Sequence, residues 1–299
     1  MKRRFSGKIR IFAVSKVIAL NRQGPIHIDV GAVLSERLGG KARFVPGFVV
    51  RWLERLIHQD DMNALLTGAW PRRGAHFCEY VLEHLGVELT VRNEDNMPSD
   101  PRIVVASNHP LGGLDGICMI AWLHRLYGVT PRFVVNDLLQ AIDPLTDCFV
   151  PVNKHGTQSR SGVSALDAAF ASDTPVVVYP AGLVSRLHDD GTIADLGWRR
   201  MFVTKAAEFR RPVVPVFFDG KNSASFYRYA RWRKSSGIKF NLEMILLPRE
   251  VFRSRGAHFT LTCGRPVPWQ ELGSRGEAGE KAAELRRIVY SLSTENTRS

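Results

Sequence analysis

Cysteine is scarce in this chain: its 299 residues hold four, Cys78, Cys118, Cys148 and Cys263, with no CxxC pair among them. That excludes a disulfide scaffold and makes a reducing compartment the expected setting. Long apolar runs are missing too, since no stretch of about 18 uncharged apolar residues is available to span a bilayer. The segment Ile11-Phe-Ala-Val-Ser-Lys-Val-Ile-Ala-Leu20 follows basic residues, but Lys16 interrupts it and no small-residue cleavage pattern comes after it. It reads as a mature helix or a surface anchor, not a signal peptide. Acidic residues are outnumbered, 29 against 41 basic ones, for a formal charge of +12. An anionic partner is therefore expected: anionic lipid, an acidic carrier protein or nucleic acid. Nucleic acid loses support because no zinc-knuckle spacing, RNP-like aromatic strand or recognition-helix pattern is present. A serine-hydrolase elbow is also absent, Tyr179-Pro-Ala-Gly-Leu-Val-Ser185 failing to match G-x-S-x-G.

What is present is a folding chain, 44% apolar and long enough for one large core or two modest domains. Residues 1 to about 90 read as helical. Phe48-Val-Val-Arg-Trp-Leu-Glu-Arg-Leu-Ile57 places apolar groups on one helix face and charges on the other, and residues 74–86 repeat the pattern before stopping at glycine. Then come a period-two stretch at 87–91, a turn-rich stretch at 93–101 and an apolar strand at 102–107. Further strands are expected at 132–135, 149–152, 175–179, 212–218 and 259–263, with helices near 117–127, 160–171, 198–210 and 223–235. This alternation predicts an α/β fold, a mixed central sheet flanked by helices, with a helical N-terminal region (1–90) packing on an α/β domain (91–299). The tail from Ser291 to Ser299 is polar and expected to fray.

The most informative stretch is Val104-Val-Ala-Ser-Asn-His-Pro-Leu-Gly-Gly-Leu-Asp-Gly116, where a buried strand ends in a glycine-rich turn holding His109 and Asp115. A neutral imidazole held by a carboxylate can take a proton from an alcohol as its oxygen attacks a thioester carbonyl. The same residues also suit a histidine satisfied in a glycine turn, with Asp115 capping the next helix. A metal centre lacks a third ligand at recognisable spacing. Backbone N–H groups at Gly112 and Gly113, or after Pro180, are candidate donors to a thioester oxyanion. Pro215, flanked by valines, points to an edge strand or a bulge near the site.

Four ordered blocks extend this reading: Asn108-His109 with Asp115, Phe149-Val-Pro-Val-Asn-Lys154, Tyr179-Pro-Ala-Gly182 with Ser185-Arg186, and Val214-Pro-Val216. Together they resemble the glycerophosphate and lysophospholipid acyltransferase superfamily over roughly residues 100–220. The resemblance implies transfer of a fatty acyl chain from coenzyme A or acyl carrier protein to a lipid hydroxyl. It makes His109 the general base, Asp115 its partner, and Asn108, Gly112, Gly113, Lys154, Pro180, Gly182, Ser185 and Arg186 contacts to acceptor or donor. It also implies no retained cofactor and no metal.

Two departures from the family pattern narrow the expectation. Five residues, not four, separate His109 from Asp115, so the turn must bulge for the pair to meet, and paired glycines make that inexpensive. Ala181 and Leu183 stand where the family's third block has glutamate and threonine. The lost carboxylate argues against lysophosphatidate as acceptor. The chain is more similar to the hemolysin-like bacterial branch that esterifies the hydroxyl of an N-(3-hydroxyacyl) amino acid, through Asp195-Leu-Gly-Trp198 and Gly220-Lys-Asn-Ser-Ala-Ser-Phe-Tyr227. That similarity implies ornithine- or glycine-lipid synthesis at the cytoplasmic side of a bacterial inner membrane. A lysophosphatidate or lysophospholipid acyltransferase and a noncatalytic lipid-binding protein remain the alternatives.

Residues 221–255 carry nine cationic residues against only Glu243 and Glu250, with Phe226, Tyr227, Tyr229, Trp232 and Phe240 interleaved. Such a surface suits an anionic membrane or an acidic carrier protein; the alternative is a solvated helix whose aromatics face the core.

Overall fold

A computed structural model describes residues 24–136, 143–152, 160–237, 242–274 and 276–293. The segment 11–20 read as a helix or anchor, together with Lys154, Lys239, Phe240 and the last six residues, lies outside the described residues.

The N-terminal part is helical: α1 (Val30–Leu38), α2 (Gly47–Leu56), α3 (Gln59–Ala69) and α4 (Gly74–Leu85). Asp29 caps α1 by accepting from the Ala32 N–H, and α4 stops at Gly86, whose positive φ of 62° closes the helix. The chain then enters a seven-stranded sheet through β1 (Glu88–Arg92), β2 (Val104–Ser107), β3 (Arg132–Asn136), β4 (Phe149–Val152) and β5 (Val176–Val178). The intervening helices are α5 (Leu114–Tyr127) and α6 (Arg160–Ala171). A two-stranded hairpin, β6 (Arg186–Leu187) and β7 (Ile193–Ala194), precedes α7 (Met201–Glu208) and β8 (Val213–Asp219). Next come α8 (Ala224–Ser235), α9 (Leu247–Arg253), β9 (His258–Cys263) and α10 (Ala278–Ser291).

The sheet order is β1-β9-β8-β2-β5-β3-β4. Strands β8, β2, β5, β3 and β4 run parallel, whereas β9 meets β8 antiparallel and carries β1 beside it in its own direction. Each apolar run read as a strand therefore lies in this mixed sheet, and β-branched composition is the reason. Central parallel strands are covered on both faces and must be apolar throughout. In β2 every residue is buried, with Val105 facing the core under α4 and α5 and Val104 and Ala106 facing the core under α6, α7 and α10.

Pro215 sits in β8, which is an interior strand, so the edge-strand expectation is replaced by a bulge. The pairings Val213↔Val267 and Val216↔Cys263 leave two residues of β8 opposite three of the partner segment. The Pro215 carbonyl accepts from the Gly264 N–H at 2.8 Å inside that bulge, so the missing proline donor falls where the ladder is already interrupted.

A third, smaller cluster of Val184, Phe226, Tyr227 and Leu246 joins the hairpin and α8, with Leu56 of α2 packed against it. No described helix is long and apolar enough to cross a membrane. Exposed aromatics occur at Phe48 and Trp52 on α2 and at Tyr229 and Trp232 on α8, while Phe226 and Tyr227 of the same basic segment are buried.

Candidate active site

Parallel strands release their connecting loops at one end of the sheet, so the segments after β2, β5 and β8 gather there. The segment after β2 carries His109, and the side-chain amide of Asn222, after β8, donates to the Pro110 carbonyl at 3.1 Å. From the segment after β5, the Ser185 N–H donates to the His109 carbonyl at 2.8 Å.

His109 and Asp115 meet despite the five-residue spacing. His109 Nδ1 lies 2.8 Å from Asp115 Oδ2, and the same oxygen accepts from the backbone N–H groups of Leu111 (3.0 Å) and Gly112 (3.3 Å). Gly112 turns the chain at φ +77°, and a Cβ there would meet Val184 Cγ2 at 2.5 Å. The position thus requires glycine for both conformation and space. Asp115 stands in the first turn of α5, where the helix dipole favours a negative charge.

Burial alone would raise the Asp115 carboxyl. The charge of His109, the imidazole hydrogen bond and the Leu111 and Gly116 amides outweigh it and hold the carboxyl below its ordinary value. An ionised carboxylate only accepts, so Nδ1 carries a proton toward Asp115, and in the neutral form of the ring the lone pair is on Nε2. The ring lies flat against Tyr179, centroids 4.1 Å apart and planes 15° from parallel. Asp115 is fully buried, whereas the His109 side chain keeps 14% of its surface accessible, so the pair reaches the surface through the imidazole alone. The geometry supplies a base oriented at one nitrogen by a buried carboxylate.

Four of the residues expected to meet acceptor or donor spend polar groups inside the protein. Asn108 donates to the Phe218 carbonyl at 2.9 Å and accepts from the Phe218 N–H at 2.7 Å, tying the end of β2 to β8. The Gly112 N–H points at Asp115, which removes it as an oxyanion donor. Ser185 Oγ donates to Asp195 Oδ1 at 2.6 Å. Arg186 Nη1 lies 2.7 Å from Glu243 Oε1 in an ion pair that fixes the hairpin. Gly113 opens α5, and a Cβ added there would meet nothing within 4 Å. Pro180 accepts from the Arg199 N–H at 3.1 Å, and the Gly182 N–H closes a turn onto the Tyr179 carbonyl at 2.9 Å.

Three buried carboxylates escaped the sequence reading as site residues. Asp195 accepts from the His109 N–H at 3.2 Å and from Trp198 Nε1–H at 3.0 Å. Its three-residue offset from an indole donor was the available signal. Glu243, fully buried, takes Arg186 on one oxygen and Arg233 on the other, each at 2.7 Å. Glu250 accepts from the Ser223 N–H at 2.7 Å ahead of α8. In a segment so rich in cations, the only two carboxylates face inward, and that scarcity was the clue.

Comparison with known proteins identifies the family of the chain. The family model described as Acyltransferase matches residues 32–297. The chain is 38% identical to the lyso-glycine lipid O-acyltransferase of Phocaeicola vulgatus over 265 residues, 89% of this chain and 95% of that protein. It is 37% identical to the protein of the same name from Bacteroides thetaiotaomicron, over 89% of this chain and 97% of that one. Among solved structures, the 1-acyl-sn-glycerophosphate (LPA) acyltransferase PlsC from Thermotoga maritima aligns at 16% identity and a TM-score of 0.44, over 83% of this chain and 96% of that chain.

Proposed function

The chain belongs to the acyltransferase family, and we propose that it moves a fatty acyl group from an acyl thioester to the hydroxyl of a lyso-aminolipid of the glycine- or ornithine-lipid type. The observation that carries the reading is the His109–Asp115 contact of 2.8 Å, formed across the one-residue insertion by a turn that only glycine fits. The names of the relatives at 37–38% identity support the acceptor class.

In this mechanism the acceptor hydroxyl gives its proton to His109 Nε2 as its oxygen attacks the thioester carbon. Asp115 holds the Nδ1 proton and stabilises the imidazolium. The tetrahedral intermediate collapses with cleavage of the carbon–sulfur bond. The imidazolium then returns a proton to the leaving thiolate, giving ester and free thiol. Asn108 and Gly112 build the turn, and the Gly113 N–H remains the candidate oxyanion donor on the glycine pair. The thioester, acyl carrier protein or coenzyme A, is a cosubstrate, so no retained cofactor enters the cycle.

The reading places the protein peripherally at the cytoplasmic face of a bacterial inner membrane. Its support is the net charge of +12 and the exposed Phe48, Trp52, Tyr229 and Trp232 beside exposed Arg51, Arg55, Arg228 and Arg231.

The test supplies purified protein with acyl carrier protein and coenzyme A thioesters. N-(3-hydroxyacyl)glycine, N-(3-hydroxyacyl)ornithine and lysophosphatidate are offered side by side. Ester formed on an aminolipid by the native chain, and lost by roughly a thousandfold or more in His109→Ala, is the expected result. Transfer to lysophosphatidate alone would overturn the acceptor, and lipid binding without transfer would leave a noncatalytic lipid-binding protein.

A further inference from the structure

We propose that Asp195 is a second carboxylate of the site, a positioning residue that fixes the His109 main chain and joins it to the C-terminal helix α10. The inference rests on His109 being the base. Asp195 follows the hairpin strand β7 and is fully buried. Its Oδ1 accepts from the His109 N–H at 3.2 Å and from Ser185 Oγ–H at 2.6 Å, and its Oδ2 accepts from Trp198 Nε1–H at 3.0 Å. Ser185 in turn donates its N–H to the His109 carbonyl at 2.8 Å.

Both hydrogen-bonding groups of the His109 backbone are therefore gripped by partners that grip each other, while Asp115 independently grips the ring. The main chain of Asp195 is anchored in its turn. Its N–H donates to the Tyr290 hydroxyl at 2.6 Å, and its carbonyl accepts from Arg286 Nη2 at 2.6 Å, two side chains one helical turn apart on α10. The last described helix thus reaches the reacting histidine through one residue.

The chemistry calls for a carboxylate at this position. Among the described residues three donors converge on the two oxygens, at least one on each, so an amide would set its NH2 against a donor. Burial holds the Asp195 carboxyl above its ordinary value, outweighing the Ser185 and Trp198 hydrogen bonds, the His109 amide and the His109 charge that pull it down. Among the described residues, the titratable and charged groups that face it include His109 after β2, Tyr179 after β5, and Tyr290 and Arg286 from α10. An ionised Asp195 adds a negative charge near His109 and favours the imidazolium that forms during transfer.

The experiment compares Asp195→Asn, Asp195→Asn with Trp198→Phe, Ser185→Ala and His109→Ala in the full-length protein. Folding is followed by thermal melting, and kcat, KM and the pH profile are measured with the acyl thioester and lyso-aminolipid. Asp195→Asn is expected to lower kcat by about 10- to 100-fold with KM nearly unchanged, as a misplaced base does. The acid limb of kcat/KM should move to lower pH by roughly half a unit to one unit, because a negative charge near the imidazole is gone. Adding Trp198→Phe removes the clashing donor. It should recover most of kcat while the pH shift persists. Ser185→Ala, which keeps the Asp195 charge, should cost several-fold and leave the acid limb in place.

Asp195→Asn with native kcat and an unmoved acid limb would overturn the proposal. So would a loss that only tracks the folded fraction, or a Ser185→Ala defect as deep as that of His109→Ala. If His109→Ala itself keeps transfer, it is the base assignment that fails. If His109→Ala is dead while Asp195→Asn is native, Asp195 alone is refuted.

Discussion

The two ends of the parallel strands bury charge in opposite ways. At the end where the strands begin, Arg211 is fully buried and donates to main-chain carbonyls: Nε to Phe170 at 2.7 Å, Nη1 to Thr174 at 2.8 Å and Ile103 at 3.3 Å, and Nη2 to Ser172. At the end where they finish, Asp115 and Asp195 are fully buried and accept from main-chain N–H groups of one short turn. One end is stapled by a cation on carbonyls, the other by anions on amides. Burial brings the Arg211 guanidinium down only to about 10, so it stays charged at neutral pH and serves as a fastener. The anions at the other end hold a histidine, a group that gains and loses a proton in the working range. Buried charge alone does not mark a site; what marks it is a titratable partner with one edge exposed.

The largest effect expected from that contrast is on chemistry at the anionic end. Asp115→Asn turns an acceptor into a donor opposite His109 Nδ1, so the imidazole proton moves to Nε2 and the base loses its lone pair. Transfer should fall by roughly 10³- to 10⁴-fold, with a moderate fall in melting temperature, because the new NH2 also faces the Leu111 and Gly112 N–H groups while the remaining carbonyl keeps the Gly116 N–H. Single-turnover transfer set beside a melting curve reads both. Collapse of the fold with the activity would erase the distinction between the ends.

Second in size is the opposite substitution at the opposite end. Arg211→Met leaves the carbonyls of Phe170, Ile103, Thr174 and Ser172 without their donor in a dry setting. We expect a loss of about 3 to 5 kcal/mol in unfolding free energy, a drop on the order of 10 °C in melting temperature. Activity per folded molecule should stay within about twofold, since Arg211 touches none of the groups around His109. Denaturant unfolding and active-site-normalised rates decide it; a tenfold loss of kcat in folded protein would show the two ends to be coupled.

The contrast also explains what the chain disclosed before its fold was known. Strands of the central sheet were legible because a strand covered on both faces must be a run of β-branched residues, as in Val104-Val-Ala-Ser107 or Val176-Val-Val178. The hairpin β6–β7 was not, for two-residue strands carry no period, and neither was the short helix α9. His109 and Asp115 were legible because both lie in one turn, where spacing is a proxy for distance. Asp195, 86 residues from His109, and Glu243, paired with Arg186 from another element, are brought in by tertiary packing that spacing does not encode. Arg186 was expected to meet acceptor or donor for the same reason: its internal carboxylate, Glu243, lies far along the chain.

The smallest effect tests how tightly the turn joins the anionic end to its surroundings. Gly112→Ala asks for φ near +77° in a residue with a Cβ and places that carbon 2.5 Å from Val184 Cγ2 and 3.1 Å from Leu247. Val184 belongs to the small cluster with Phe226 and Tyr227, and Leu247 packs against it, so relief means shifting that cluster or opening the turn. Either costs about 1 to 3 kcal/mol. The route taken is readable. If the cluster gives way, stability falls and the pH profile of transfer stays put. If the turn opens, the Gly112 and Leu111 amides leave Asp115, its carboxyl rises, and less negative charge opposes the neutral imidazole. The acid limb of kcat/KM then changes along with the rate. Because Asp195 and Ser185 clamp the His109 backbone on the far side of the turn, we expect the cluster to yield first, with stability reduced and the acid limb unmoved. Gly113→Ala, whose Cβ meets nothing within 4 Å, is the steric control at the neighbouring position.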